Sequence, residues 1–171
     1  MSRVIRRGQA KASERSSAMK ARTRECGTCT ACCVAKGVKA LDKPAFERCR
    51  NLVEGVKGCS IYAARPRECA DFECMWKLGM FAGADRPDRL GIVVDVTMGE
   101  NREAWVDGQA FVVREALEGG LEKAAPFIEE MAARTSVVVV RADGTRTIKG
   151  PPEHVARAAT YVKRVLPVVA S

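Results

Sequence analysis

All eight cysteines of this chain fall between residues 26 and 74, and that crowding limits the fold more than any other feature. They are Cys26, Cys29, Cys32, Cys33, Cys49, Cys59, Cys69 and Cys74, and the rest of the chain carries none. Two chemistries concentrate cysteine: disulfide frameworks and thiolate metal sites. Disulfides need an oxidising compartment, and the opening MSRVIRRGQAKASERSSAMKARTRE lacks the apolar stretch of a secretory signal. Four thiols within Cys26-Gly-Thr-Cys29-Thr-Ala-Cys32-Cys33 also suit disulfides badly, since adjacent cysteines bridge each other only with strain. Two-residue gaps suit metal, because such a turn gathers both sulfurs about 2.3 Å from a zinc ion with backbone amides facing them. Gly27 permits the tight turn. The expectation is a cytoplasmic metalloprotein whose cysteine region folds around bound metal.

The only histidine, His154, lies far downstream beside Pro151-Pro152 and reads as a surface residue. All-sulfur coordination fits zinc in four-cysteine sites or an iron–sulfur cluster. The Cys-x-x-Cys-x-x-Cys run begins like a bacterial ferredoxin motif, then departs from it: the fourth cysteine follows at once and no Cys-Pro closes the run. Adjacent Cys32 and Cys33 are expected to point apart and serve different metals, unless one is not a ligand. Eight thiolates suffice for two four-ligand sites, or for one cluster with cysteines left for structure or redox work.

These spacings resemble the CxxCxxCC family of zinc- or iron-chelating domains, the YkgJ-type cysteine-cluster proteins. Cys26-x-x-Cys29-x-x-Cys32-Cys33 matches its opening, and Cys59-Ser-Ile-Tyr62-Ala-Ala-Arg65-Pro66-Arg67-Glu-Cys69-Ala-Asp-Phe72-Glu-Cys74 its second half. Cys49 sits where many members carry another cysteine. The likeness covers about residues 24–78, under a third of the chain. It implies metal chelation through all eight cysteines. It also implies that Arg65, with Tyr62, supports the metal by donating N–H groups to sulfur. Some proteins with this signature look like flagellin lysine methylases with an iron–sulfur centre. Those are longer, and no Gly-rich strand-to-helix loop for a dinucleotide or methionine–adenosyl cofactor is seen here. Gly91 and Gly99 are isolated, and Gly119-Gly120 reads as a helix end.

The net charge of +8 is concentrated at the start: residues 1–25 hold eight basic side chains against Glu14 and Glu25. Without interleaved aromatics this tail reads as a solvated, disordered extension; a nucleic-acid arm or an organelle presequence is less favoured. No run of 18 apolar residues exists to span a membrane.

Four parts are expected: the tail at 1–25, a cysteine-cluster metal module at 26–78, a linker at 79–90 and an α/β unit at 91–171. Within the module, residues 45–53 read as a short helix with Phe46, Cys49 and Val53 on one face, and Pro66 starts another through Cys69. The α/β unit predicts strands at 91–97, 103–107, 136–141 and 145–149, the last two a hairpin across Ala142-Asp143-Gly144. It predicts helices at 109–118, at 121–134 with Pro126 complicating it, and at 153–166. The fold class is therefore α+β, a small metal-bound module followed by antiparallel strands with packed helices. Acids Asp95, Glu100, Glu103 and Asp107 are expected to face solvent on alternating strands. With one histidine and no Ser-His-Asp set, a histidine-based acid–base mechanism is not supported.

Three functions stay open: a metal-binding module presented to an unidentified protein partner or substrate, an iron–sulfur enzyme of redox or group transfer, and a metal carrier or store.

Overall fold

A computed structural model describes residues 24–53, 58–96 and 110–165, with side chains through residue 159. Its architecture is α+β, with short helices laid against both faces of one four-stranded mixed sheet. The strands are β1 (Ile92–Val96), β2 (Phe111–Glu115), β3 (Val137–Val140) and β4 (Arg146–Lys149), in that spatial order. β1–β2 and β3–β4 pair antiparallel, whereas β2–β3 pair parallel. To the expected antiparallel strands the fold adds one parallel pair, β2–β3. Two helices, α4 (Gly120–Lys123) and α5 (Ala125–Ala132), fill the crossover that brings β3 alongside β2 in the same direction.

Alternation assigns the two faces. Ile92, Val94, Phe111, Val113, Val137 and Val139 point to the front, where Leu121 of α4, Ile128 and Ala132 of α5, and Ala124 between the two helices cover them. Phe81 closes that core, 6.3 Å from the Phe111 ring and edge-on to Phe127 at 5.0 Å. On the back, Val112, Val138 and Val140 meet Ala158 of α6 (Pro152–Val165), with Phe46 and Ile148 packed alongside. The back face nearer β1 is covered by α1 (Cys32–Ala35): Ala31 and Ala35 lie on Val93 and Ala116. The cysteine-bearing segment and the sheet therefore share a core.

Several elements follow the sequence. The strand at 91–97, the hairpin, the last helix and the helix after Pro66, here α2 (Arg67–Ala70), all form. Gly144, at φ +82°, takes the left-handed position of the hairpin turn. Asp143 Oδ1 accepts from the Thr145 N–H at 2.8 Å and the Thr145 hydroxyl at 2.7 Å. The helix expected at 121–134 is divided at Ala124, with Pro126 in the first turn of α5, where its missing N–H costs nothing.

Others differ. Residues 109–118 read as a helix, but 111–115 form β2, an inner strand whose residues 111–113 are buried. Residues 45–53 form turns: Phe46 adopts a left-handed φ of +65° and turns its ring to the back face, which a helix would prevent. The 79–90 stretch forms a 3-10 turn at Gly83–Asp85 and the helix α3 (Pro87–Leu90), with Pro87 buried and Leu90 against the front core. Asp95 is not solvent-facing. Arg114 Nη1 donates to both of its carboxylate oxygens at 3.0 Å, and Lys36 stands 3.8 Å away. Glu100, Glu103, Asp107 and the strand expected at 103–107 lie outside the described residues.

Candidate metal centre

The cysteine segment is built from tight turns rather than long elements. Gly27, at φ +54°, lets the chain reverse so that the Cys29 N–H donates to the Cys26 carbonyl at 2.9 Å. The chain then enters α1, which carries Cys32 and Cys33 side by side. The Cys49 N–H donates to the Cys33 carbonyl at 3.0 Å, and the Leu52 N–H to the Cys49 carbonyl at 3.0 Å. Leu52 forms a bridge with Cys59. Cys69 lies on α2, and Cys74 begins the turn that leads to the buried Met75 and Trp76.

All eight cysteines are free thiols; Cys49 is buried and the other seven half-buried. Their mutual electrostatic influence outlines two groups joined through Cys32. Cys74 feels Cys26, Cys29 and Cys32, and Cys26 and Cys29 each feel Cys32. Cys33 feels Cys49, Cys59 and Cys69, and Cys69 feels Cys32 first and then Cys49 and Cys59. Packing agrees: Cys29, Cys32 and Cys74 lie together against the Ala31–Ala35–Val93–Ala116 core. Cys33, Cys49 and Cys59 are tied by the backbone contacts just described. The groups meet at α1, where Cys32 and Cys33 are close enough to perturb each other. Among the described residues, no three Cys, His, Asp or Glu side chains are positioned to hold an ion as they stand.

The donor chemistry nevertheless fits a soft metal. Backbone N–H groups of Ala31 and Asp88 face the Cys29 sulfur, and that of Lys77 faces Cys74, as thiolate ligands require. Burial outweighs these amides. It pushes Cys26, Cys29 and Cys69 above the ordinary thiol range and Cys74 up to about 11. Cys32 is raised too, chiefly by its hydrogen bond to Cys33, and Cys33 is lowered by accepting it. A bound cation reverses the cost of ionising buried thiols.

Charged side chains flank both groups. Arg65 donates Nη1 to the Tyr62 carbonyl at 2.7 Å, stacks on the Tyr62 ring at 3.9 Å and lies close enough to lower Cys26. Lys77, hydrogen-bonded to Glu73 at 2.8 Å, acts on Cys26 in the same sense. Tyr62 is 61% exposed, a platform for Arg65 rather than a core aromatic. His154, in the first turn of α6, stands 3.9 Å from Glu153. Sequence reasoning missed Lys43, which is only 8% exposed. Its Nζ donates to the carbonyls of Val34 at 3.2 Å, Pro44 at 2.9 Å and Lys36. Nothing in the sequence marks it, because a lysine beside proline is ordinarily a solvated turn residue.

Comparison with family models, with curated proteins and with solved structures yields no match for this chain.

Proposed function

We propose that this chain is a cytoplasmic metal-binding protein that chelates zinc or an iron–sulfur cluster through two sets of cysteine thiolates. Cys26, Cys29, Cys32 and Cys74 make up the first set, and Cys33, Cys49, Cys59 and Cys69 the second. The observation that carries this is the gathering of eight free thiols around the Cys32–Cys33 pair, each within electrostatic reach of at least one other. Four thiolates are the complement of a closed zinc site or a cubane cluster. Bound there, the metal would supply folding energy and, if iron, one-electron chemistry. The chain's own part is to hold the sulfurs near one another, direct amide N–H groups at them and place cations beside them. Free thiols accord with a reducing compartment. Among the described residues no helix is long and apolar enough to cross a membrane. The sheet unit would present the metal region to a protein partner or substrate.

The test is anaerobic purification of the full chain with metal analysis and visible spectroscopy. Stoichiometric colourless zinc, or a brown protein absorbing near about 400 nm from iron–sulfur charge transfer, supports the proposal. A Cys29→Ser change should empty the first set and a Cys69→Ser change the second. A folded chain that takes up neither zinc nor iron under supplementation would refute it. Half-exposed sulfurs favour one second reading, a carrier that hands its metal on. Rapid loss of metal to a weak chelator with the fold retained would select it.

A further inference from the structure

We infer that Lys43 is the fixed counter-cation of the second cysteine set, a positioning residue whose charge makes four thiolates tolerable around one ion there. This rests on the two-set proposal above. The geometry is specific. The side chain is buried, and its ammonium donates to the carbonyls of Val34, Lys36 and Pro44. Those three bonds use every ammonium proton, so Lys43 is held in place by neutral groups and not by a carboxylate partner that would cancel its charge. Cys49 and Cys33 act on Lys43 more strongly than the Glu47 carboxylate does, and Cys32 acts less strongly than any of these. Lys43 and Cys49 line the same cleft of about 200 Å³, between Leu41–Pro44 and Glu47–Arg50.

A divalent ion bound by four thiolates leaves two negative charges, which burial makes costly. The first set meets Arg65 and Lys77, cations on half-open ground where water screens them. The second set has a cation already withdrawn from water, so its field on the sulfurs is stronger and less dependent on salt. The sequence also places Lys43 between the two halves of the cysteine motif, so one residue can serve a site assembled from Cys33, Cys49, Cys59 and Cys69.

A structural alternative exists: Lys43 could do no more than satisfy the last carbonyls of α1. The two roles separate because α1 carries Cys32 and Cys33, one from each set. Loss of a helix cap would weaken both sets, whereas loss of the charge would weaken the second. The experiment measures zinc affinity of the full chain by competition with a chromophoric chelator. A Cys26→Ser background isolates the second set and a Cys69→Ser background the first. Lys43→Met is expected to weaken the second set tenfold or more and the first less than threefold; equal losses in both, or none in the second, overturn the inference. In the cobalt(II)-loaded Cys26→Ser background, Lys43→Met should shift the sulfur-to-cobalt band to longer wavelength, and Lys43→Arg should leave it in place. An unmoved band in Lys43→Met counts against the charge. Should Lys43→Met fail to fold, Lys43→Arg decides: second-set affinity within threefold supports the inference, and a larger loss overturns it. Wild-type protein that takes up neither zinc nor iron would sink the metal proposal itself, a result distinct from a metal-loaded protein indifferent to Lys43.

Discussion

Replacing Gly120 by alanine should cost the molecule roughly 3 kcal/mol, because two backbones cross at that point with no room between them. A Cβ built on Gly120 would stand 2.1 Å from the Gly91 carbonyl oxygen and 2.7 Å from its carbon. That is roughly 1 Å inside any tolerable carbon–oxygen contact, and the obstacle is backbone, which cannot rotate away. The same Gly91 oxygen accepts from the Ala116 N–H at 2.8 Å and the Leu117 N–H at 3.1 Å. Moving it endangers two hydrogen bonds worth about 1 kcal/mol each, and overpacking adds about 1–3 kcal/mol. Alanine's better helix propensity returns about 1 kcal/mol, which leaves the stated figure. For a domain of this size that lowers Tm by about 6–12 °C. The assay is urea unfolding followed by far-UV circular dichroism, with Gly83→Ala as control. A Cβ on Gly83 meets nothing within 4 Å, so the control should stay within about 0.5 kcal/mol of wild type. If Gly120→Ala fell within 1 kcal/mol of the control by order of magnitude, the backbone crossing would not be as tight as described.

Three further outcomes are expected. Arg114→Met should destabilise by about 1–3 kcal/mol, because it leaves the half-buried Asp95 carboxylate with Lys36 at 3.8 Å in place of two hydrogen bonds, and Asp95→Leu added to it should restore part of the loss in thermal melts. Asp143 is held below its ordinary value by its hydrogen bonds to Thr145, so its contribution is present above the unfolded carboxyl range and lost as pH falls through the folded value. Melting curves of wild type and Asp143→Ala should therefore differ at pH 6 and converge near pH 2. Zinc uptake at pH 7 should release about three to four protons per ion at the first set, since burial keeps Cys26, Cys29 and Cys74 protonated in the free chain. Affinity should then rise with pH, and calorimetry in buffers of different ionisation enthalpy counts the protons; fewer than about two per ion would contradict the raised thiols.

How much of this was legible in the sequence depended on whether local chemistry or distant packing made the decision. The Asp143-Gly144 hairpin and the helix behind Pro66 were readable, since turn residues and proline act on their own neighbours. Residues 109–118 were not, because Gln109, Ala110, Glu115 and Glu118 favour helix locally while burial between β1 and β3 selects strand. Phe46 likewise leaves helical geometry only because the back of the sheet offers its ring a place. For the candidate site, spacing identified the cysteines as a group but not their division. Which thiols become neighbours is set by contacts such as Cys49 to Cys33, across turns that no periodicity announces. Arg65 is singled out by its motif, whereas Lys43 carries no signal because its burial is created by carbonyls of residues before it and beside it.

The small side chains under α1 have a consequence for how the molecule comes apart. Ala31, Ala35 and Ala116 allow that short helix to rest on Val93, so it cannot lift without wetting the sheet's interior. Melting should therefore register as one cooperative event and not as a labile cap leaving a durable plate. An oxidant that disturbs these sulfurs would then be felt at the far hairpin, and the whole polypeptide would share a single tolerance to redox stress.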